Sequence, residues 1–162
     1  MRLKNLLGSV IAITAGCLLT CAYADSSVTD ILVTQSWVQA MPASQTTSAA
    51  YMTIENKSPN SELVLVSASS DIADAVELHQ MSEMNGMMKM AKVSDIRIPA
   101  QSKVSLGPGG FHIMLINLKK PVNKGDIIPI TLHFHDGRAI MVKVEARDDQ
   151  PEDSSSMPGM KM

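Results

Sequence analysis

Ile127-Ile128-Pro129-Ile130-Thr131-Leu132-His133-Phe134-His135-Asp136-Gly137-Arg138-Ala139-Ile140-Met141-Val142-Lys143-Val144-Glu145-Ala146 consists of two apolar or alternating runs joined by Asp-Gly. Alternation with a period of two places one set of side chains on one face of an extended strand. Asp-Gly between two such runs signals a hairpin, because a two-residue hairpin turn needs positive φ at both central positions. The stretch therefore predicts strands at 127–135 and 139–146, paired antiparallel. Leu132 and Phe134 are the inward residues. His133 and His135, a second i, i+2 pair, then point outward beside the turn, where solvated imidazoles outnumber metal ligands.

Outward from this hairpin the same pattern recurs. Apolar or alternating runs of strand length occupy 31–38, 50–55, 63–68, 76–79, 87–93, 103–106 and 112–118. Turn chemistry separates them: Asn56-Lys57-Ser58-Pro59-Asn60, Asn85-Gly86, Gly107-Pro108-Gly109-Gly110 and Lys124-Gly125-Asp126. No segment carries apolar residues at helical spacing for a dozen residues, although 71–76 has room for one helical turn. Many short strands at this spacing predict an all-β domain, an antiparallel sandwich or barrel.

The two ends read differently. Arg2 and Lys4 precede an apolar run over 6–19, and Ala22-Tyr23-Ala24 supplies the small residues of a signal-peptidase site. Residues 1–24 are thus expected to be an export signal. Thr14-Ala15-Gly16-Cys17 offers a competing lipoprotein box, with Cys17 as the lipidated residue, but it matches less well. Both cysteines, Cys17 and Cys21, fall within this segment, so the mature chain would contain no thiol. Residues 148–162 are acidic and rich in Ser and Pro, with no apolar side chain but methionine, and are expected to form a flexible tail. Between them lies a single domain at 25–147.

Composition narrows the function. Losing 24 of 162 residues leaves 138; with Arg2 and Lys4 gone, 12 basic and 16 acidic residues remain, a net charge of −4. That balance lacks the basic footprint of a nucleic-acid binder. No nucleophile–base arrangement and no phosphate loop occur, so the chain does not read as an enzyme. A blue-copper electron carrier needs a cysteine thiolate. The unusual feature is sulfur, with thirteen methionines against five aromatic residues in the whole chain.

Three of those methionines sit close to histidines. His112 and Met114 are i and i+2 in a strand and share a face. His79 and Met81 repeat the arrangement, and Met90 lies on the run that returns after Asn85-Gly86. Neutral thioether and imidazole donors favour Cu(I), whereas zinc seldom uses methionine and calcium or magnesium demand oxygen ligands. Other methionines read differently. Met52 and Met141, and Met41 at a strand end, read as core gap-fillers. Met84, Met87 and Met88 flank the Asn-Gly turn, either lining a copper entrance or serving as turn residues. Met157, Met160 and Met162 are close enough together in the tail to form a secondary site.

The spacing is specific. His79, ten residues, Met90, twenty-one residues, then His112-Ile113-Met114 resembles the motif of the PCuAC family of periplasmic copper chaperones. The flanking text Val76-Glu77-Leu78-His79-Gln80-Met81, Gly109-Gly110-Phe111-His112-Ile113-Met114 and Ile130-Thr131-Leu132-His133-Phe134 agrees, as do Tyr51 and Asn56; Gln39, where many relatives have Arg, departs. The resemblance spans about residues 30–147. It implies a cupredoxin-like β-sandwich holding Cu(I) through His79, Met90, His112 and Met114, with Met81 auxiliary. It also implies delivery to the CuA centre of cytochrome c oxidase, through subunit II or another assembly factor. Copper buffering or detoxification without a delivery partner would use the same ligands.

Overall fold

The computed structural model describes residues 30–148. The expected export signal with Cys17, and the expected tail site of Met157, Met160 and Met162, lie outside the described residues. Ten strands follow one another: β1 (Ile31–Gln39), β2 (Thr47–Asn56), β3 (Leu63–Ser69), β4 (Ala73–Met84), β5 (Met87–Lys92), β6 (Ile96–Ile98), β7 (Ser102–Leu106), β8 (Phe111–Leu118), β9 (Ile127–Phe134) and β10 (Ala139–Arg147). The runs expected from alternation all form strands. At 71–76 there is no helical turn: Asp71 and Ile72 make a simple turn and β4 starts at Ala73. β6 was not anticipated, since three residues carry too little periodicity to register, yet Ile96 and Ile98 are fully buried.

The strands join in one sheet of order β5-β4-β8-β7-β2-β1-β10-β9-β3-β6, with β8 also bonded to β2. Pairing is antiparallel except for β1 with β10 and the short β7–β8 contact. The sheet folds over on itself, bringing β3 against β4 and β6 against β2 and β7. Apolar faces of both halves meet in one core, where Ile54, Leu65, Ile98, Ile113, Leu115, Ile130 and Leu132 are wholly buried. Each such side chain contributes about 1.5–3 kcal/mol of burial.

Alternation fails at one informative place. Gln35 takes a positive φ of 52°, and the β1–β2 register shifts between Thr34 and Trp37. This bulge moves Trp37 off the core face and sets it opposite Tyr51, while Val38 turns inward. Met52 fills the core as expected, but Met141 does not: it is 66 % exposed. On β10 the inward set is Ile140, Val142, Val144 and Ala146, so Met141 falls on the outer face with Lys143 and Glu145.

Candidate metal centre

β4 and β8 pair antiparallel with His79 directly opposite His112 and Glu77 opposite Met114. Directly opposed residues share a face of the sheet. Met81 lies two residues further along β4 on that face, and β5 brings Met90 opposite Met81. On the other side of β8, Ala49 of β2 lies opposite Met114. The intervening residues Leu78, Ile113 and Leu115 are buried in the core. The histidines and methionines therefore occupy the outer face of this half of the sheet.

A cavity of about 180 Å3 opens there, and its imidazole and thioether side chains are His112, Met81, Met90, Met114 and Met41. His79 is not on the cavity wall. Its ring stands beside that of His112, with centroids 5.9 Å apart. Met41, expected in the core, is a correction: it lies in the β1–β2 connection, half-buried at the cavity. Its backbone is bridged to Val122, whose carbonyl accepts from the Met41 N–H at 2.8 Å. No local signal marks that position, because the bridge joins segments 81 residues apart.

Hydrogen bonds leave one nitrogen of each imidazole uncommitted. The Gly110 carbonyl can only accept, so His112 Nδ1, 3.1 Å away, carries the proton and its Nε2 keeps a lone pair. His79 Nε2 lies 2.9 Å from the Glu77 carboxylate and donates to it. His79 Nδ1 is then buried with no hydrogen-bond partner among the described residues. Such an atom is costly unless something binds it, and a soft cation suits it. Lys92 also donates to Glu77, at 2.7 Å. Hydrogen bonds from Lys92 and then His79 hold the Glu77 carboxyl below its ordinary range, so it stays an acceptor.

The Gly107–Gly110 turn builds part of this arrangement. Pro108 and Gly109 take the central positions, Gly109 at φ 81°, and the Gly110 N–H donates to the Gly107 carbonyl at 3.0 Å. That is a type II turn, which demands a residue tolerant of positive φ at its third position. It leaves the Gly110 carbonyl to accept from both His112 and the Met81 N–H. Behind the cavity, Tyr51 packs between Trp37, centroids 4.5 Å apart, and His112 at 6.4 Å. Burial raises the phenol of Tyr51, so it remains neutral and adds no charge to the wall.

Among the described residues no group of three or more His, Cys, Asp or Glu side chains is placed to hold a metal ion. Beside His79 and His112, thioethers are the soft donors this face supplies. The remaining candidates lie elsewhere. His133 and His135 face outward as expected, His133 Nε2 2.9 Å from the Ser69 hydroxyl. Gln39 lends its carbonyl to the Ser48 hydroxyl at 2.6 Å. Asn56 is buried and donates to the carbonyls of Ser61 (2.8 Å) and Ile98 (3.0 Å), a structural tie between β2 and β6. Met84, Met87 and Met88 are exposed at the tip of the β4–β5 hairpin.

Known proteins share this architecture. Residues 31–146 match the LpqE-like family. "Putative lipoprotein Lxx21020" of Leifsonia xyli is 38 % identical over 119 residues, 73 % of this chain and 70 % of that protein. The uncharacterized protein RP573 of Rickettsia prowazekii is 37 % identical over 105 residues, 64 % of this chain and 58 % of its own length. Among solved structures, CuI-DR1885 of Deinococcus radiodurans is 31 % identical, with a TM-score of 0.62 over 78 % of this chain and 84 % of that one. The copper-bound PCuAC domain of PmoF2, at 23 % identity, matches in fold with a TM-score of 0.59 over 73 % of this chain and 94 % of its own. The chain belongs to the LpqE-like family, and its all-β domain has the cupredoxin-like fold of PCuAC domains.

Proposed function

We propose that the protein is an exported, periplasmic Cu(I) metallochaperone whose ligands are His79, Met90, His112 and Met114, with Met81 auxiliary. Its cargo passes to an acceptor in cytochrome c oxidase assembly, the CuA site of subunit II or another assembly factor. The observation that carries this reading is the pair of cross-strand histidines, each with one uncommitted nitrogen, beside thioethers on the same face. A 31 % identical protein whose structure was solved with CuI adds support.

Four neutral donors leave Cu(I) with its single positive charge and do not stabilise the harder Cu(II). A site on the outer face of a sheet lets an acceptor's ligands replace these one at a time, without unfolding. Nothing in this cycle makes or breaks a covalent bond in an organic substrate, so the protein is no enzyme. Met41, at the same cavity, is a further thioether for the transfer stage.

The test is an anaerobic Cu(I) titration against a chromophoric chelator. Either His79→Ala or Met114→Ala is expected to weaken binding by roughly tenfold or more, about 1.4 kcal/mol per decade. Full affinity in both variants removes the ligand assignment. Delivery is tested separately: normal oxidase activity in a deletion strain grown in copper-poor medium would replace delivery by buffering.

A further inference from the structure

The β4–β5 hairpin exposes methionines where a soluble protein gains nothing from exposing apolar surface. Met84 and Met88 are each 55 % exposed, Met87 71 % and Met90 47 %. They are not core fillers, because every residue of β5 is exposed. Asn85 and Gly86 both have positive φ, 54° and 76°, so a tight two-residue turn holds Met84 directly opposite Met87. With Met88 they line one concavity at the tip, whose other walls are Asn85 and Lys89.

We propose that this tip is a second, weaker Cu(I) site, formed by the thioethers of Met84, Met87 and Met88, through which the ion enters and leaves the main centre. The inference rests on the reading above and adds a route to it. Opposed residues have Cβ atoms about 4.5–5.5 Å apart, which flexible thioether arms span easily. Met88 stands opposite Glu83 on the other face from Met84 and Met87 and reaches their concavity around the edge of β5; two residues on, Met90 stands opposite Met81, on the same face as the cavity. That step is about 6.7 Å, so thioethers at 88, 90 and 81 form a track from the tip to His112 and Met114. The absence of an imidazole makes the tip the weaker site, and the charges of Lys89 and of Glu83, opposite Met88, offset one another there. Passage along the track is ligand exchange alone. Copper remains Cu(I), and thioethers release no proton on binding.

The experiment uses the full chain with methionine methyls labelled for NMR, and Ag(I) as a redox-inert stand-in confirmed by anaerobic Cu(I). The first equivalent is expected to shift Met90 and Met114, and the second to shift Met84, Met87 and Met88. The combined variant Met84→Leu, Met87→Leu, Met88→Leu should keep the first equivalent at unchanged affinity, lose the second at the hairpin, and load several-fold more slowly from a Cu(I)–chelator complex. A second equivalent that shifts only the tail methionines, or an unchanged loading rate in the variant, overturns the proposal while leaving the main centre intact. A variant that binds and loads normally but fails to transfer copper to an acceptor would make the tip a protein-docking surface and likewise overturn it. If the first equivalent leaves Met90 and Met114 unmoved, the reading of the main centre fails instead.

Discussion

Glu77 shows how much one side chain can decide. It engages His79 Nε2 on one oxygen and Lys92 on the other. Through the first contact it selects the His79 tautomer whose free lone pair is on the buried Nδ1. Glu77→Gln retains the size but offers an amide that can rotate, and so loosens that selection. Its Cu(I) affinity should fall, toward the lower end of the 10- to 100-fold range typical of groups that orient metal ligands, while the melting temperature of the metal-free protein stays unchanged. Chelator competition and thermal unfolding on the same samples check both halves; an unaltered affinity would leave Glu77 a surface ion pair only. The residue types at this centre were legible beforehand, since thioether beside imidazole at i, i+2 is visible in the chain. Met41 was not, because its place depends on a bridge to Val122.

Among the elements, the two glycine-containing hairpins separate what a turn motif does and does not specify. Asn85-Gly86 forms the two-residue turn with positive φ at both positions. Asp136-Gly137, expected to do the same, does not: only Gly137 has positive φ, at 88°, and the loop spans His135–Gly137. Gly137 N–H donates to the Phe134 carbonyl and Phe134 N–H to the Arg138 carbonyl, a three-residue loop closed by a left-handed glycine. The reason is Asp136 itself, whose carboxylate accepts from the Arg138 backbone (3.0 Å) and side chain (2.7 Å). These bonds hold the Asp136 carboxyl below its ordinary 3.8. A depressed carboxyl contributes stability that is present above its unfolded value and lost as pH falls through the folded one. Asp136→Asn should therefore cost stability at pH 7, by less than about 1 kcal/mol for so exposed a pair, and nothing near pH 2. Urea unfolding at both pH values reads the difference; an equal cost at both would assign it to turn geometry rather than charge.

For the whole molecule, the candidate donors come from the β1–β2 connection, β4, β5 and β8, so binding one ion joins segments distant in sequence. A ligand held only by the native state stabilises it by RT ln(1 + [L]/Kd), about 2.7 kcal/mol at a hundredfold excess over Kd. Anaerobic Cu(I) should raise the melting temperature by several degrees, and a strong chelator should reverse it. A melting temperature indifferent to Cu(I) would mean the site is not formed by the fold.

The sequence by itself determined the class of the fold and the chemistry on offer. Period-two alternation with glycine-bearing turns allows only strands, and a pool of imidazoles and thioethers with no cysteine after Cys21 selects a soft monovalent ion. Tertiary structure decided the rest. That His79 meets His112, 33 residues along the chain, rather than a neighbour one residue along, is a matter of register between β4 and β8, and a slip of one would send the histidines to opposite faces. The same holds for Trp37, which a bulge in β1 re-aims toward Tyr51. Local pattern sets which residues can share a face; only the packing of distant strands sets which faces meet.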